Sequence, residues 1–94
     1  MPSGPLKDRS GSITAGGAAQ NVMVEHQARK YLIFVNLSDT AMKLAFGADA
    51  TADSMLVAAN GGSFEMDGSG FVAWDRLSVF CATTGKKFYA AEGC

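Results

Sequence analysis

The chain is poor in the residues that chemistry usually needs. It has one histidine, two cysteines, one tryptophan and two prolines in 94 residues. A single histidine, His26, excludes the histidine-rich metal motifs of jelly-roll enzymes, and no cysteine lies near enough to it for a zinc spacing. His26 reads instead as a polar residue at the end of a strand. Two cysteines are too few for a stapled secreted framework. Cys81 sits in an apolar run and Cys94 at the chain end, where it is poorly placed to bridge back. Free thiols and assembly in a reducing compartment are therefore expected.

Neither charge sign dominates. Eight basic residues against nine acidic ones give a net charge of −1, which argues against nucleic acid as a partner, since that partner rewards a basic stripe. No apolar run approaches the ~18 residues that span a bilayer. The opening Met-Pro-Ser-Gly-Pro-Leu-Lys-Asp-Arg lacks an apolar signal core. The expectation is a soluble protein made in the cytoplasm, with no membrane partner.

Catalysis finds little support. Cys81 with His26 is the one conceivable nucleophile–base pair, and Cys81 falls in phase with Leu77 and Val79, where a thiol acts as a small hydrophobe. Glu65, Asp67 and Asp75 are close in sequence, but acids beside glycine turns ordinarily solvate or cap those turns. Asp67-Gly68-Ser69-Gly70 has too few acidic oxygens for a calcium loop, and Gly61-Gly62 lacks the lysine and helix of a phosphate loop. The reading is a non-enzyme without metal or cofactor.

The chain does contain punctuation. Gly16-Gly17, Asn36 to Asp39, Gly47 to Asp53, Asn60-Gly61-Gly62, Asp67 to Gly70 and Thr83 to Gly85 are turn signals, recurring at about 8–15 residues, the spacing of an antiparallel sandwich or barrel. Between them, apolar residues alternate: Val22 with Val24, Met42 with Leu44 and Phe46, Phe64 with Met66, Phe88 with Ala90. Eight strands are expected, near 12–15, 20–25, 30–36, 41–46, 55–58, 63–66, 76–82 and 87–91. The fold class is all-β, an antiparallel sandwich or jelly-roll-like barrel over residues 12–94, with residues 1–11 as an extended N-terminal arm. Helix is not expected, because Thr51, Asp53 and Ser54 interrupt any 3.6-residue stripe in the alanine-rich stretch 48–59.

Tyr31-Leu32-Ile33-Phe34-Val35 is apolar at every position, which predicts a strand covered on both faces. Tyr31, Ile33 and Val35 share one face and Leu32 and Phe34 the other; alternation alone does not say which faces out. An arm, a loop or another subunit could cover the outer set. Phe80 points away from Leu77, Val79 and Cys81. Tyr31, Ile33, Phe34, Phe80, Trp74 and Tyr89 are thus the candidate oligomer interface. Trp74, Phe71 and Tyr89 could alternatively stack sugars, as in a recognition module.

The order of segments then becomes informative. Ile13-Thr-Ala-Gly-Gly17, Arg29-Lys30-Tyr31-Leu32 leading to Asn36, and Ala45-Phe46-Gly47 come first. Gly61-Gly-Ser-Phe-Glu65, Ala82-Thr83-Thr84-Gly85 and Glu92-Gly93 follow. Over residues 11–93 this resembles small β-sandwich virion structural proteins of tailed bacteriophages, of the capsid decoration (cement) or head-fibre type. The resemblance implies no catalytic residues. It implies a homo-oligomer, a trimer in the decoration proteins, that binds the major capsid protein at the virion surface and stabilises the shell. Leu6, Lys7 and Arg9 of the arm are the candidates for clasping the shell or a neighbouring subunit. A tail or head-fibre module that recognises a receptor or carbohydrate is the alternative.

Overall fold

The computed structural model describes residues 6–27, 29–66, 72–73 and 75–93. Nine strands make up the described chain: β1 (Leu6–Asp8), β2 (Gly11–Ser12), β3 (Ala19–Met23), β4 (Tyr31–Asn36), β5 (Met42–Phe46), β6 (Met55–Val57), β7 (Ser63–Met66), β8 (Leu77–Phe80) and β9 (Lys87–Gly93). There is no helix among the described residues. Seven of the eight expected strands are present with shifted ends; the one expected at 12–15 is reduced to β2, Gly11–Ser12, and β1 is an additional strand.

The strands form two antiparallel sheets. Sheet A runs β1-β9-β4-β7, with β2 also on β9; sheet B runs β3-β8-β5-β6. The pairing has a simple logic. β1 and β2 pair with β9, β3 with β8, β4 with β7 and β5 with β6, as in one long antiparallel ribbon folded at its middle. The ribbon is then rolled, so that β4 also meets β9 and β5 meets β8. That is the connectivity of a jelly roll. The turns predicted at 16–17, 36–39, 47–53, 60–62 and 83–85 each close a step of the ribbon, and the one predicted at 67–70 lies outside the described residues. Gly17, Gly47, Asn60, Gly61 and Gly85 all carry positive φ, a region that only glycine and asparagine enter cheaply.

The core lies between the sheets. Leu32 and Phe34 of β4, Phe88 and Ala90 of β9, Met42 and Leu44 of β5, and Leu77 and Val79 of β8 are its centre, with Ile13, Met23, Val57 and Cys81 completing it. The rings of Phe34 and Phe88 stack at 5.1 Å, an arrangement that contributes beyond the area buried. Cys81 is fully buried as a free thiol.

Two polar knots close the ends of the roll. At one end Asn36 is fully buried. Its amide donates to the carbonyls of Thr40 and Val57, and its Oδ1 accepts from the backbone N–H and hydroxyl of Ser38. One side chain thereby joins the β4–β5 turn to sheet B, with its hydrogen-bonding capacity used. Beside it Gly62 is required by proximity: a Cβ there would sit 2.2 Å from the Ala58 carbonyl oxygen. The other end is tied by Arg29.

Candidate functional site: the outer face of sheet A

Alternation on β4 settles which set faces out. Leu32 and Phe34 are fully buried, whereas Tyr31, Ile33 and Val35 are half-buried on the outer face. The expectation of a strand fully covered on both faces is corrected to this extent. Phe34, named as an interface candidate, belongs to the core of its own chain and is not available to a partner.

Residues paired across an antiparallel ladder share a face, so the register maps the outer surface. Leu6, Gly93 and Tyr31 form one row; Asp8, Ala91, Ile33 and Glu65 the next; Tyr89, Val35 and Ser63 the third. Ser12 and Lys87 follow. Leu37, 59% exposed, continues the β4 column, its N–H donating to the Lys87 carbonyl. The middle of the face is thus apolar, with Ala91 buried, Asp8 and Glu65 on the edge strands flanking the Ala91–Ile33 row, and Lys87 near the start of β9. Tyr31 spans two rows, its hydroxyl donating to Glu65 at 2.6 Å. Tyr89 stands exposed at the centre.

The outer face of sheet B is treated differently by the chain. Ser78 is fully buried there because the segment after β5 folds over it: Ala50 N–H donates to the Ser78 hydroxyl, which donates to the Ala48 carbonyl. Lys43 reaches up to the Ala52 carbonyl. Phe80 is half-buried beside this roof, in the row Ala19, Phe80, Lys43 and Leu56. Sheet B carries its own cover. No described loop does the same for sheet A.

The N-terminal candidates lie on the edge of sheet A. Leu6 and Lys7 belong to β1, exposed along its whole length against β9. Arg9 donates through Nε to Glu92 at 2.8 Å. Within the arm expected at 1–11, Leu6–Asp8 and Gly11 are therefore strand additions to β9. Residues 1–5, Asp67, Phe71, Trp74 and Cys94 fall outside the described residues.

Sequence reasoning did not foresee the charged cluster that anchors this end. Arg29, with a fully buried side chain, donates from Nε to Glu92, from Nη1 to the carbonyls of Ala73 and Asp75, and from Nη2 to the carbonyl of Val24. Four of the five donors of the guanidinium are used, and they hold the β3–β4 and β7–β8 connections together. A signal was present in the alternation: Glu92 falls in phase with Phe88 and Ala90, so its carboxylate points inward and demands a cation. His26 Nδ1 approaches Glu92 only to 3.8 Å and makes no hydrogen bond. His26 and Cys81 sit towards opposite ends of β8, His26 beyond the Met23–Leu77 pair and Cys81 beyond Phe80, so no nucleophile–base pair forms.

Burial pushes the Glu92 carboxyl up. The hydrogen bonds and charges of Arg29 and Arg9 outweigh burial and hold it below its ordinary 4.5. Its ionised form therefore stabilises the fold. As pH falls through about 4.5, the unfolded chain takes up a proton that the folded chain refuses, so stability drops. Asp8 and Asp39, lowered by hydrogen bonds from Ser10 and Lys86 respectively, act in the same direction at exposed sites. Urea midpoints should be level from about pH 7 to 5 and fall below about 4.5. Glu92→Gln, less stable at neutral pH, should lose most of that slope.

A shallow cleft lies between the end of β3 and the β5 and β8 ends, lined by Asn21, Val24, Glu25, Gly47, Asp75 and Arg76. Arg76 is engaged by Asn21 and Asp49, and among the described residues no aromatic ring lines the cleft. No group of three or more metal-ligating side chains occurs among the described residues. No family model, curated protein or solved structure matches the chain.

Proposed function

We propose that the protein is a non-enzymatic virion structural protein, a capsid decoration (cement) protein that binds the outside of a phage shell as an oligomer. The observation that carries the contact role is the contrast between the sheets: a described segment roofs the outer face of sheet B, whereas among the described residues none folds over the half-buried Ile33 and Val35 of sheet A. Such a face is suited to protein contact. The virion assignment rests on the sequence resemblance over residues 11–93.

The mechanism is mechanical. Each oligomer bridges neighbouring subunits of the major capsid protein, so expansion of the shell must break additional contacts. Leu6 and Lys7, exposed on the edge strand, and the half-exposed Arg9, whose Nε is held by Glu92, are the attachment residues on each copy. Two or more attachment points on one oligomer raise avidity well above that of a single copy.

Purified protein mixed with undecorated, expanded capsids of the virus that encodes it should pellet with them. Protein that stays in the supernatant, or instead binds phage tails or a host polysaccharide, would move the reading to a recognition module.

A further inference from the structure

Three asparagines occur in the chain, Asn21, Asn36 and Asn60. An asparagine side chain is open to attack by the backbone nitrogen that follows it, and bulk on that next residue hinders the approach. Asn21 precedes the β-branched Val22, and Asn36 precedes Leu37 and is itself fully buried. Asn60 alone is followed by glycine, and it is exposed. Asn60-Gly61 lies in the turn between β6 and β7, with φ of 61° and 98°, values that these two residue types tolerate.

The turn is held by its backbone. Gly61 N–H donates to the Asn36 carbonyl at 2.8 Å, and Asn60 N–H donates to the Ser38 carbonyl at 2.7 Å. Asn36 N–H in turn donates to the Gly62 carbonyl at 2.8 Å. Because Asn36 is fully buried, the Gly61 proton points to an acceptor that no solvent base reaches. Gly62 lies hard against Ala58, which leaves the turn no room to swing.

We propose that Asn60 is a latent site of spontaneous deamidation, kept closed by the Asn36 knot while the chain is folded. The reaction balances with water as its one co-reactant. A base removes the Gly61 amide proton, the nitrogen bonds to Asn60 Cγ, and the Cγ–Nδ2 bond breaks. The displaced nitrogen takes up a proton and leaves as ammonia. Water then opens the five-membered imide at either carbonyl, giving aspartate or isoaspartate at position 60.

Opening must come first. The imide nitrogen carries no hydrogen, so the Gly61–Asn36 bond is lost on every route. The rate in the folded protein is therefore that of the open turn multiplied by the fraction of time it is open. Isoaspartate then lengthens the main chain by one carbon, and with Gly62 fixed against Ala58 the turn cannot close as before. A reacted chain is thus marked as one that has opened. The inference concerns this turn alone and does not depend on the capsid reading.

Peptide mapping by mass spectrometry after incubation in mildly alkaline buffer tests it. In denaturing urea the peptide holding Asn60 should gain the mass of an amide-to-acid exchange at least about tenfold faster than in the folded protein. Asn36→Ala keeps the main-chain carbonyl but loosens its setting, and should react at a rate between the two. If that variant does not fold, wild-type protein in a series of sub-denaturing urea concentrations takes its place. There the Asn60 rate should rise in parallel with hydrogen exchange of the Gly61 amide. Four results would overturn the proposal: equal rates in folded and denatured protein, a folded Asn36→Ala no faster than wild type, an Asn60 rate that ignores Gly61 exchange, or faster reaction at Asn21 in the denatured chain.

Discussion

Arg29→Met is expected to lower the free energy of unfolding by about 3–5 kcal/mol, measured by urea denaturation at neutral pH. The substitution removes the buried partner of Glu92 and strips donors from three carbonyls, those of Ala73, Asp75 and Val24. The Ala73 contact is buried, and leaving that carbonyl unpaired costs about 1–3 kcal/mol, whereas the part-buried carbonyls of Asp75 and Val24 cost less. Arg9 remains to hold the carboxylate, which keeps the loss below that of an isolated buried charge. For a domain of this size the loss is a large part of the ~5–15 kcal/mol that such folds possess. Arg29→Lys keeps the charge but not the planar fork, and should fall between the two. Arg9→Met should cost under about 1 kcal/mol, because the Arg9 side chain is 36% exposed and half-open pairs contribute little. A fully stable Arg29→Met protein would mean that the end of the roll is held by something else.

The second large effect separates the faces of β4. Phe34→Ala should cost about 3–5 kcal/mol, since it opens a cavity and removes the stack on Phe88. Phe34→Asp should abolish the fold. Ile33→Asp, one residue away, should keep the β signature and most of the stability, because its side chain leaves the sheet on the outer surface. Circular dichroism and urea denaturation of the two aspartate variants make the comparison direct. Equal damage at both positions would show that the outer face is packed as tightly as the core.

What could be read in advance was what depends on local pattern. Met42, Leu44 and Phe46 alternate, and the glycines that close the turns carry the φ values those turns require, so the strands and their order were accessible from residue 12 onward. β1 was not. Leu6-Lys7-Asp8 has no apolar alternation, follows a proline, and becomes a strand only because the edge of β9 is there to pair with; strand propensity is largely context. The Arg29 cluster was hidden for a similar reason. Glu92 signals an inward charge, but the three carbonyls that complete the site come from segments about 5 to 46 residues from Arg29, and only the rolled ribbon brings them together. Likewise, an all-apolar β4 could not reveal that its outer residues would be only half-buried, since that depends on which neighbouring loop folds over which sheet. The loop over Ser78 chose sheet B.

The proposal that this protein works by assembling on a shell is tested most directly by capsid co-sedimentation of wild-type protein beside Ile33→Asp. Both are expected to fold, and they differ at the middle of the outer face of sheet A. Wild-type protein should pellet with undecorated, expanded capsids and saturate with increasing dose, while Ile33→Asp should remain in the supernatant. Equal pelleting of the two would contradict a contact role for this face, and no pelleting of the wild type would contradict decoration itself.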